Sequence, residues 1–406
     1  MELGNIISYK KGKAPSGVKL KGDLVTYLSP EYLRNKSKEV LIPDFFGKVE
    51  VESGDLLLLW DGSNAGEFFL GKNGVLSSTM VKLVFDENKN DRLFLYYQLK
   101  FIEYFLKSQT NGSGIPHVDK EVLLSINVEN FEFTEQTQIA TILSKVDEAI
   151  TQTEQLISKY TRIKTGLMQD LLTKGIDEHG NIRSEATHEF KDSPLGRIPQ
   201  EWEVKRLSEL SLKIGDGTHS SVRFSENNEV PFLFVSCIRP NKIDWTKKTS
   251  INLDEYMKIS RGKEPKKGTV LYSLVGSYGN AVTLDSAIKL SFQRHIGFIE
   301  TKRNELVPDF LTLFLNSIYG NIQADDLAVG NAQKTITLGA LNQFQILKPS
   351  FKEQKLIVEK NKFIQIHLTE IETQLSKLQS LKTGLMQDLL SGKVRVKVSE
   401  PLIAND

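Results

Sequence analysis

The sequence predicts an α+β chain in which two globular α/β parts alternate with two long helices. The helices pair with each other as a coiled coil, and the whole is an internal repeat that can fold with pseudo-two-fold symmetry. Three observations predict this. The nine residues KTGLMQDLL occur at Lys164–Leu172 and again 218 positions later at Lys382–Leu390, and an exact repeat of that length marks a duplication. Each copy ends a proline-free stretch whose apolar residues recur in alternating steps of four and three, the spacing of a coiled-coil seam. The remaining regions carry short apolar runs punctuated by glycine, the pattern of buried strands and turns.

The first globular part covers residues 1–133. Leu56–Trp60 and Thr79–Phe85 read as buried strands and Leu93–Leu106 as a helix. The first repeated helix follows from Glu135 to Leu172, in a segment of residues 134–194 that includes a linker. Its seam is Ile139, Leu143, Val146, Ile150, Ile157, Tyr160, Leu167 and Leu171. The stretch Thr173–Glu201 holds Gly175, Gly180, Pro194, Gly196 and Pro199 among many charges and reads as an exposed linker.

The second globular part covers residues 195–350, with strands at Pro231–Ser236, Thr269–Leu274 and Ile296–Glu300 and a helix at Phe310–Ile318. It echoes the first: GDLLLLWDGS (Gly54–Ser63) aligns with GTVLYSLVGS (Gly268–Ser277), FLYYQL (Phe94–Leu99) with FLTLFL (Phe310–Leu315), and TNGSGIPHV (Thr110–Val118) with AVGNAQKTI (Ala328–Ile336). The second repeated helix runs from Glu353 to Leu390 within residues 351–406, with the seam Ile357, Ile364, Leu368, Ile371, Leu375, Leu378, Leu385 and Leu389. Without gaps, Glu135-Gln136 matches Glu353-Gln354, Ile139 matches Ile357, Glu154 matches Glu372, and Ser158-Lys159 matches Ser376-Lys377.

Each helix of 38 residues would be about 57 Å long at ~1.5 Å per residue. An apolar stripe of that length needs cover. The stripe can pack on its own globular part or on the other helix, and the shared spacing and length favour the other helix. Lys164 and Lys382 interrupt the seams at the same point and would fix register. Gly166 and Gly384 also match; a mid-helix glycine costs about 1 kcal/mol against alanine, which predicts a close backbone approach or a kink.

Composition narrows the class of function. With 406 residues, 39% hydrophobic and 25% charged, the chain is an ordinary globular protein of more than one domain. Its net charge of +1 leaves nucleic-acid binding to local patches. A single cysteine, Cys237, excludes a disulfide framework, argues against a cysteine-based zinc site, and points to a reducing cytoplasm. MELGNIISYK has no apolar core of signal-peptide length, and the densest apolar run, Leu56–Trp60, is far too short to span a bilayer, so no membrane association is expected.

Three features together resemble the specificity subunit of type I restriction–modification systems: LKTGLMQDLLSGKVRV (Leu381–Val396) with its earlier copy, the phrase DSPLGRIPQEWEVKRLSEL (Asp192–Leu210), and the helix led by Glu-Gln after each globular half. The proline–tryptophan phrase before the second half has no counterpart before the first, which begins directly at Leu3-Gly4. The resemblance implies two target recognition domains, each reading one part of a split duplex DNA sequence. It implies an antiparallel coiled coil that spaces them and docks two modification (methyltransferase) subunits, joined later by restriction subunits. S-adenosylmethionine, ATP and magnesium would then sit on those partners, with no cofactor on this chain. Elementary geometry is compatible. A duplicated chain suits two half-sites about one helical turn, ~34–36 Å, apart, and unequal halves imply an asymmetric target.

Phosphates call for Lys and Arg, and base edges for Arg, Asn, Gln, Lys and hydroxyls. In the first half the acid-free run YKKGKAPSGVKLKG offers Lys10, Lys11, Lys13, Lys19 and Lys21. The matching start of the second half offers Thr218, His219, Ser220 and Arg223. The turns after the matched strands present Ser63 and Asn64 in one half, and Ser277, Tyr278 and Asn280 in the other. FQRH adds Gln293 and Arg294, and two later loops add Asn111, Ser113 and His117, and Asn331, Gln333, Lys334 and Thr335. Each has a plainer alternative: a lysine run is most often a solvated face, and a lone histidine such as His117 or His295 more often packs than reads a base. Gly62, Gly66, Gly276 and Gly279 read as turn glycines.

Catalytic signatures are missing. Gly66–Asn73 nearly spells a phosphate loop, but Asn73 stands where Ser or Thr must reach magnesium. Pro43-Asp44 with Glu87-Asn88-Lys89 is too short a match for a metal nuclease. The six histidines and one cysteine form no spaced metal cluster, and no adenine-methyltransferase tetrapeptide is present. The expectation is a DNA-reading assembly subunit without catalysis of its own. The alternative readings are a coiled-coil scaffold that assembles partners without touching DNA, and a cryptic nuclease.

Overall fold

A computed structural model describes residues 1–16, 23–111, 114–227, 229–330 and 333–396. The chain divides into two compact units, Met1–Leu156 with Ile371–Asp406, and Ile157–Glu370. Both long helices therefore contribute one half to each unit. The first runs Phe133–Thr173 and the second Phe351–Leu390, 41 and 40 residues.

In unit 1 the strands β1 (Ile7–Lys11), β2 (Leu56–Leu59), β3 (Phe68–Leu70) and β4 (Met80–Phe85) form an antiparallel sheet in the order β1-β4-β2-β3. Helix α1 (Arg92–Ser108) begins where the Asp91 side chain accepts the Phe94 N–H at 2.9 Å, an N-cap. It lays Leu95, Leu99 and Leu106 on Leu56, Leu58, Phe68, Val81 and Leu83 of the sheet. A second small sheet holds Leu24–Leu28, with Gly74–Leu76 parallel to it.

Unit 2 repeats the plan. Strands β5 (Ser211–Asp216), β6 (Val270–Ser273), β7 (Ala281–Thr283) and β8 (Ile296–Thr301) lie in the same order, β5-β8-β6-β7. Again a small second sheet has one parallel pair, Val230–Leu233 beside Ser291–Phe292. The strand expected over Pro231–Ser236 ends at Leu233 and gives way to a 3-10 turn at Val235–Cys237. The helix expected over Phe310–Ile318 is two: α2 (Pro308–Leu315) and α3 (Ile318–Leu327). Asn316 turns its amide onto the Ala281 backbone, with contacts of 2.8 and 2.9 Å, and Ser317 caps the new helix.

The seams pack as the periodicity requires. All sixteen predicted seam residues are buried or half-buried, whereas Leu156, Ile163, Phe363, Ile366 and Leu381, off the seam, are exposed. In unit 1, Ile139 and Leu143 share a core with Leu385 and Leu389; in unit 2, Leu167 and Leu171 share one with Ile357. The interrupting lysines set the register: Lys382 reaches Asp147 at 2.6 Å in unit 1, and Lys164 reaches Gln365 at 2.5 Å in unit 2. Since 365 is the repeat mate of 147 and 382 that of 164, this is one antiparallel contact made twice. Gly166 and Gly384 differ from expectation. A Cβ at either would meet nothing within 4 Å, so no backbone among the described residues requires glycine there.

The matched Glu-Gln pairs lock each helix start. Gln136 accepts the Asp91 N–H at 2.8 Å and donates to the Lys89 and Phe131 carbonyls. Gln354 accepts the Val307 N–H at 2.8 Å and donates to the Glu305 and Pro349 carbonyls. Glu135 receives Arg395 at 2.5 Å and the Val396 N–H at 3.0 Å, so the strand of chain beyond the second helix closes unit 1. These hydrogen bonds, Arg395 first, hold the Glu135 carboxyl below its ordinary range against the opposing effect of burial. A lowered folded value means that stability is fully present above the ordinary glutamate value of about 4.3 and is lost as pH falls through the lowered one. Arg395→Ala should therefore shift the acid unfolding of unit 1 to higher pH, as followed by circular dichroism.

Thr173–Glu201 is not the exposed linker that its glycines and prolines suggest. Ile176, Arg183 and Ile198 are buried, and Phe190–Ser193 pairs with Gly196–Pro199 in a hairpin. Glu353 organises this segment, accepting from the Ile176 N–H at 2.8 Å, Arg183 at 2.5 Å and the Trp202 indole at 3.1 Å.

Candidate nucleic-acid interface

In each unit most of the described candidate residues fall on loops at one end of the four-stranded sheet, while Lys10 and Lys11 lie on β1 itself. In unit 2, β5 is followed by Gly217, whose N–H reaches the Ile296 carbonyl at 3.1 Å. Its α-carbon crosses so close to the Phe292 and Gln293 carbonyls that a Cβ would overlap both. Thr218 then donates its N–H to Phe292 and accepts from Arg294, at 2.9 and 3.1 Å, which sets Thr218, His219 and Ser220 beside Gln293 and Arg294. At the end of β6, Leu274 bonds to His295 on one side and Ile336 on the other, at 2.9 and 2.8 Å. It thereby joins that group to a second: the turn of Ser277, Tyr278 and Asn280, and the loop closed by Val329 and Thr335 that carries Gln333 and Lys334.

Unit 1 builds the same platform. Gly12 reaches Met80 at 2.9 Å and crosses the Ser77 carbonyl with no room for a side chain. Trp60 bonds to Thr79 and to Val118, both at 2.9 Å, in the place of Leu274. Asn111 and His117 close the loop that lies over Gly62. By these contacts the structural mate of Gly217-Thr218 is Gly12-Lys13, inside the two starts that the sequence matched.

The candidates are not equally available. Lys10, Lys13, Ser63, Asn64, His117, Ser220, Arg223, Arg294, Gln333 and Lys334 are exposed. Others are engaged within the fold: Lys11 with Asp61 at 2.8 Å, Asn111 with Asp119 at 2.6 Å, His219 with Asp216 at 2.7 Å, Tyr278 with Asp325 at 2.7 Å, and Asn280 with the Ser277 carbonyl at 2.8 Å. Thr218 is buried, while Gln293 and Thr335 are half-buried. Arg223 sits apart, its N–H turned to Glu255 at 3.3 Å. Lys19, Lys21, Ser113 and Asn331 lie outside the described residues. The carboxylates Asp61, Asp216 and Asp325 were not anticipated; nothing in a single sequence separates them from other surface acids. Burial first, then the charges of Arg294 and His219, hold the His295 imidazole below its usual range.

No group of three or more histidine, cysteine, aspartate or glutamate residues among the described residues is placed to hold a metal ion. Nor, among them, is any helix long and apolar enough to cross a membrane.

Duplicated sheets, duplicated loop platforms and paired helices correspond to a known family model. The model of the type I restriction modification DNA specificity domain matches residues 1–161 and 199–379. The chain belongs to the type I specificity family. It is 36% identical to the type I restriction enzyme MjaVIII specificity subunit of Methanocaldococcus jannaschii, over 98% of this chain and 93% of that one. The putative MjaX specificity subunit of the same organism is 29% identical over 80% of this chain and 74% of its own length. Among solved structures, the type I restriction-modification S subunit from M. genitalium superposes with a TM-score of 0.59 at 17% identity, covering 98% and 96% of the two chains, and shows the fold. The two family-model matches are the two repeats. Specificity subunits are the non-catalytic members of their systems.

Proposed function

We propose that this specificity subunit reads a bipartite, asymmetric duplex DNA sequence, one half-site per unit. The supporting observation is that both units build the same loop platform by the same backbone contacts, yet fill it with different side chains: Lys13, Asn64 and His117 in unit 1, Ser220, Arg294, Gln333 and Lys334 in unit 2. Shared geometry with unshared side chains is what two readers of different sequences need.

The helices supply the spacing and the assembly surface. Thr165, Gly166 and Gln169 are exposed and recur as exposed Thr383, Gly384 and Gln387. Packing within the chain does not demand that identity, and each glycine opens onto empty space. A common partner used twice explains it: two copies of a modification subunit, each laying backbone close against a glycine. Restriction subunits join that assembly. S-adenosylmethionine, ATP and magnesium belong to those partners, and the whole acts in the cytoplasm.

The test is a gel shift with the chain bound to its methyltransferase subunits. Sequence-selective, salt-sensitive retardation is expected; assembly with no DNA selectivity would favour the scaffold reading instead. Within that assay, Lys334→Ala should weaken binding to all sequences alike and lower the salt slope by about one, whereas Arg294→Ala should cost roughly 1–3 kcal/mol and relax discrimination at one position of one half-site. A uniform loss from Arg294→Ala would show that it touches phosphate only.

A further inference from the structure

At the end of the unit 2 sheet opposite the reading loops lies a cavity of about 390 Å³, lined by Leu212, Lys266, Lys267, Thr269, Glu300, Thr301 and Arg303. Its counterpart in unit 1 shows what it lacks. The turn into β2 is Glu52-Ser53-Gly54-Asp55, and the turn into β6 is Lys266-Lys267-Gly268-Thr269. Both have a left-handed glycine, Gly54 at φ +91° and Gly268 at φ +85°. In each, the fourth side chain accepts the first residue's N–H, Asp55 from Glu52 at 2.7 Å and Thr269 from Lys266 at 2.9 Å. Each is tied to the neighbouring strand by the same two backbone bonds, to Gly71 in one and Leu284 in the other. An arginine leans on each glycine, Arg92 on Gly54 and Arg303 on Gly268.

The difference is charge. In unit 1 the nearly buried Asp55 carboxylate lies 2.5 Å from Lys82 and 3.9 Å from Arg92. In unit 2 threonine replaces that carboxylate. Three cations face one carboxylate, Glu300, which pairs with Lys266 at 3.7 Å, leaving a surplus of two positive charges. Arg303 donates to the Lys267 carbonyl and, like Lys267, makes no ion pair among the described residues. The Thr301 hydroxyl, on a residue 3% exposed, has no hydrogen-bond partner.

We infer that unit 2 binds a phosphate group in this cavity, whose cations lack the carboxylate that Asp55 supplies in unit 1. Arg303 and Lys267 supply charge-assisted donors. The strand β8, six residues or roughly 20 Å long, separates the cavity from Gln293 and Arg294, so its ligand is a free phosphate rather than the backbone of the DNA being read.

The full chain is titrated with inorganic phosphate against chloride at constant ionic strength, by calorimetry. Saturable binding at one site is expected. Thr269→Asp, which restores the unit 1 carboxylate, and Arg303→Ala, at an exposed residue, should each weaken it about tenfold or more. Absence of saturable binding, or parental affinity in both variants, overturns the site; Arg303→Ala decides the matter if Thr269→Asp does not fold. A repeat with saturating duplex should give the same affinity, and displacement by duplex would overturn the free-ligand assignment. The titration itself needs no DNA, so its outcome is independent of whether the loops read sequence.

Discussion

Glu353→Ala is expected to destabilise unit 2 by about 3 kcal/mol, because it leaves the buried Arg183 guanidinium with only the exposed Glu201 carboxylate, 3.3 Å away, as counter-charge. Glu353 is 5% exposed and Arg183 7%. The carboxylate holds Arg183 through both terminal nitrogens, at 2.5 and 3.3 Å, and also satisfies the Trp202 indole and the Ile176 N–H. Gly175 passes so close that any Cβ there would overlap the carboxylate and the Trp202 ring, so the space left by alanine cannot be refilled by a small shift of the chain. Stabilities of domains are ~5–15 kcal/mol, so the loss is a large fraction of the total. Urea unfolding of the variant should show a much lower midpoint with the slope little changed. The double replacement Glu353→Leu with Arg183→Met should recover a large part of the loss, since it removes both charges. A midpoint within error of the parent's would show that the cluster is incidental. The matching change Glu135→Ala should cost less, because Arg395 is half-exposed and can return to water.

Much of this architecture was legible in the sequence. Helical periodicity is local: residues three and four apart report the buried face, so the seams from Ile139 to Leu171 and from Ile357 to Leu389 could be read without knowing what covered them. The central strands were legible for a similar reason, since runs such as Leu56–Leu59 are buried on both faces. What failed is long-range. Thr173–Glu201 has the composition of a surface linker, and only the fold reveals that Glu353, over 150 residues from Trp202, anchors it. The break between α2 and α3 turns on Asn316 finding the Ala281 backbone, a contact that periodicity cannot contain. The loop candidates were gathered by matching positions in the two halves, which brought most of them to one end of each sheet. Whether a given side chain was free or already paired depended on Asp61, Asp119, Asp216 and Asp325, whose placement is tertiary.

Inserting one heptad at the midpoint of each long helix, between Gln155 and Leu156 and between Thr373 and Gln374, should lengthen the unread spacer of the methylated sequence by about three base pairs and leave both half-sites unchanged. The midpoint follows from the contacts. Asp147 opposes Lys382 and Lys164 opposes Gln365, so the centre of the antiparallel arrangement falls at 155–156 on one helix and 373–374 on the other. Seven residues add roughly 10 Å at 1.5 Å each, or about three steps of 3.4 Å along duplex DNA. They also turn the helix through nearly two full rotations, a residual of only ~20°, so Ile150 and Ile157, and Leu368 and Leu375, stay on the seam. Five residues would instead turn the second half of each helix by about 140°, taking the apolar stripe off its partner, and should abolish methylation. Sequencing of methylated adenines in a host carrying each variant reads both results at once. Unchanged spacing after the heptad insertion, with altered half-sites, would mean that the helices do not measure the distance between the reading units.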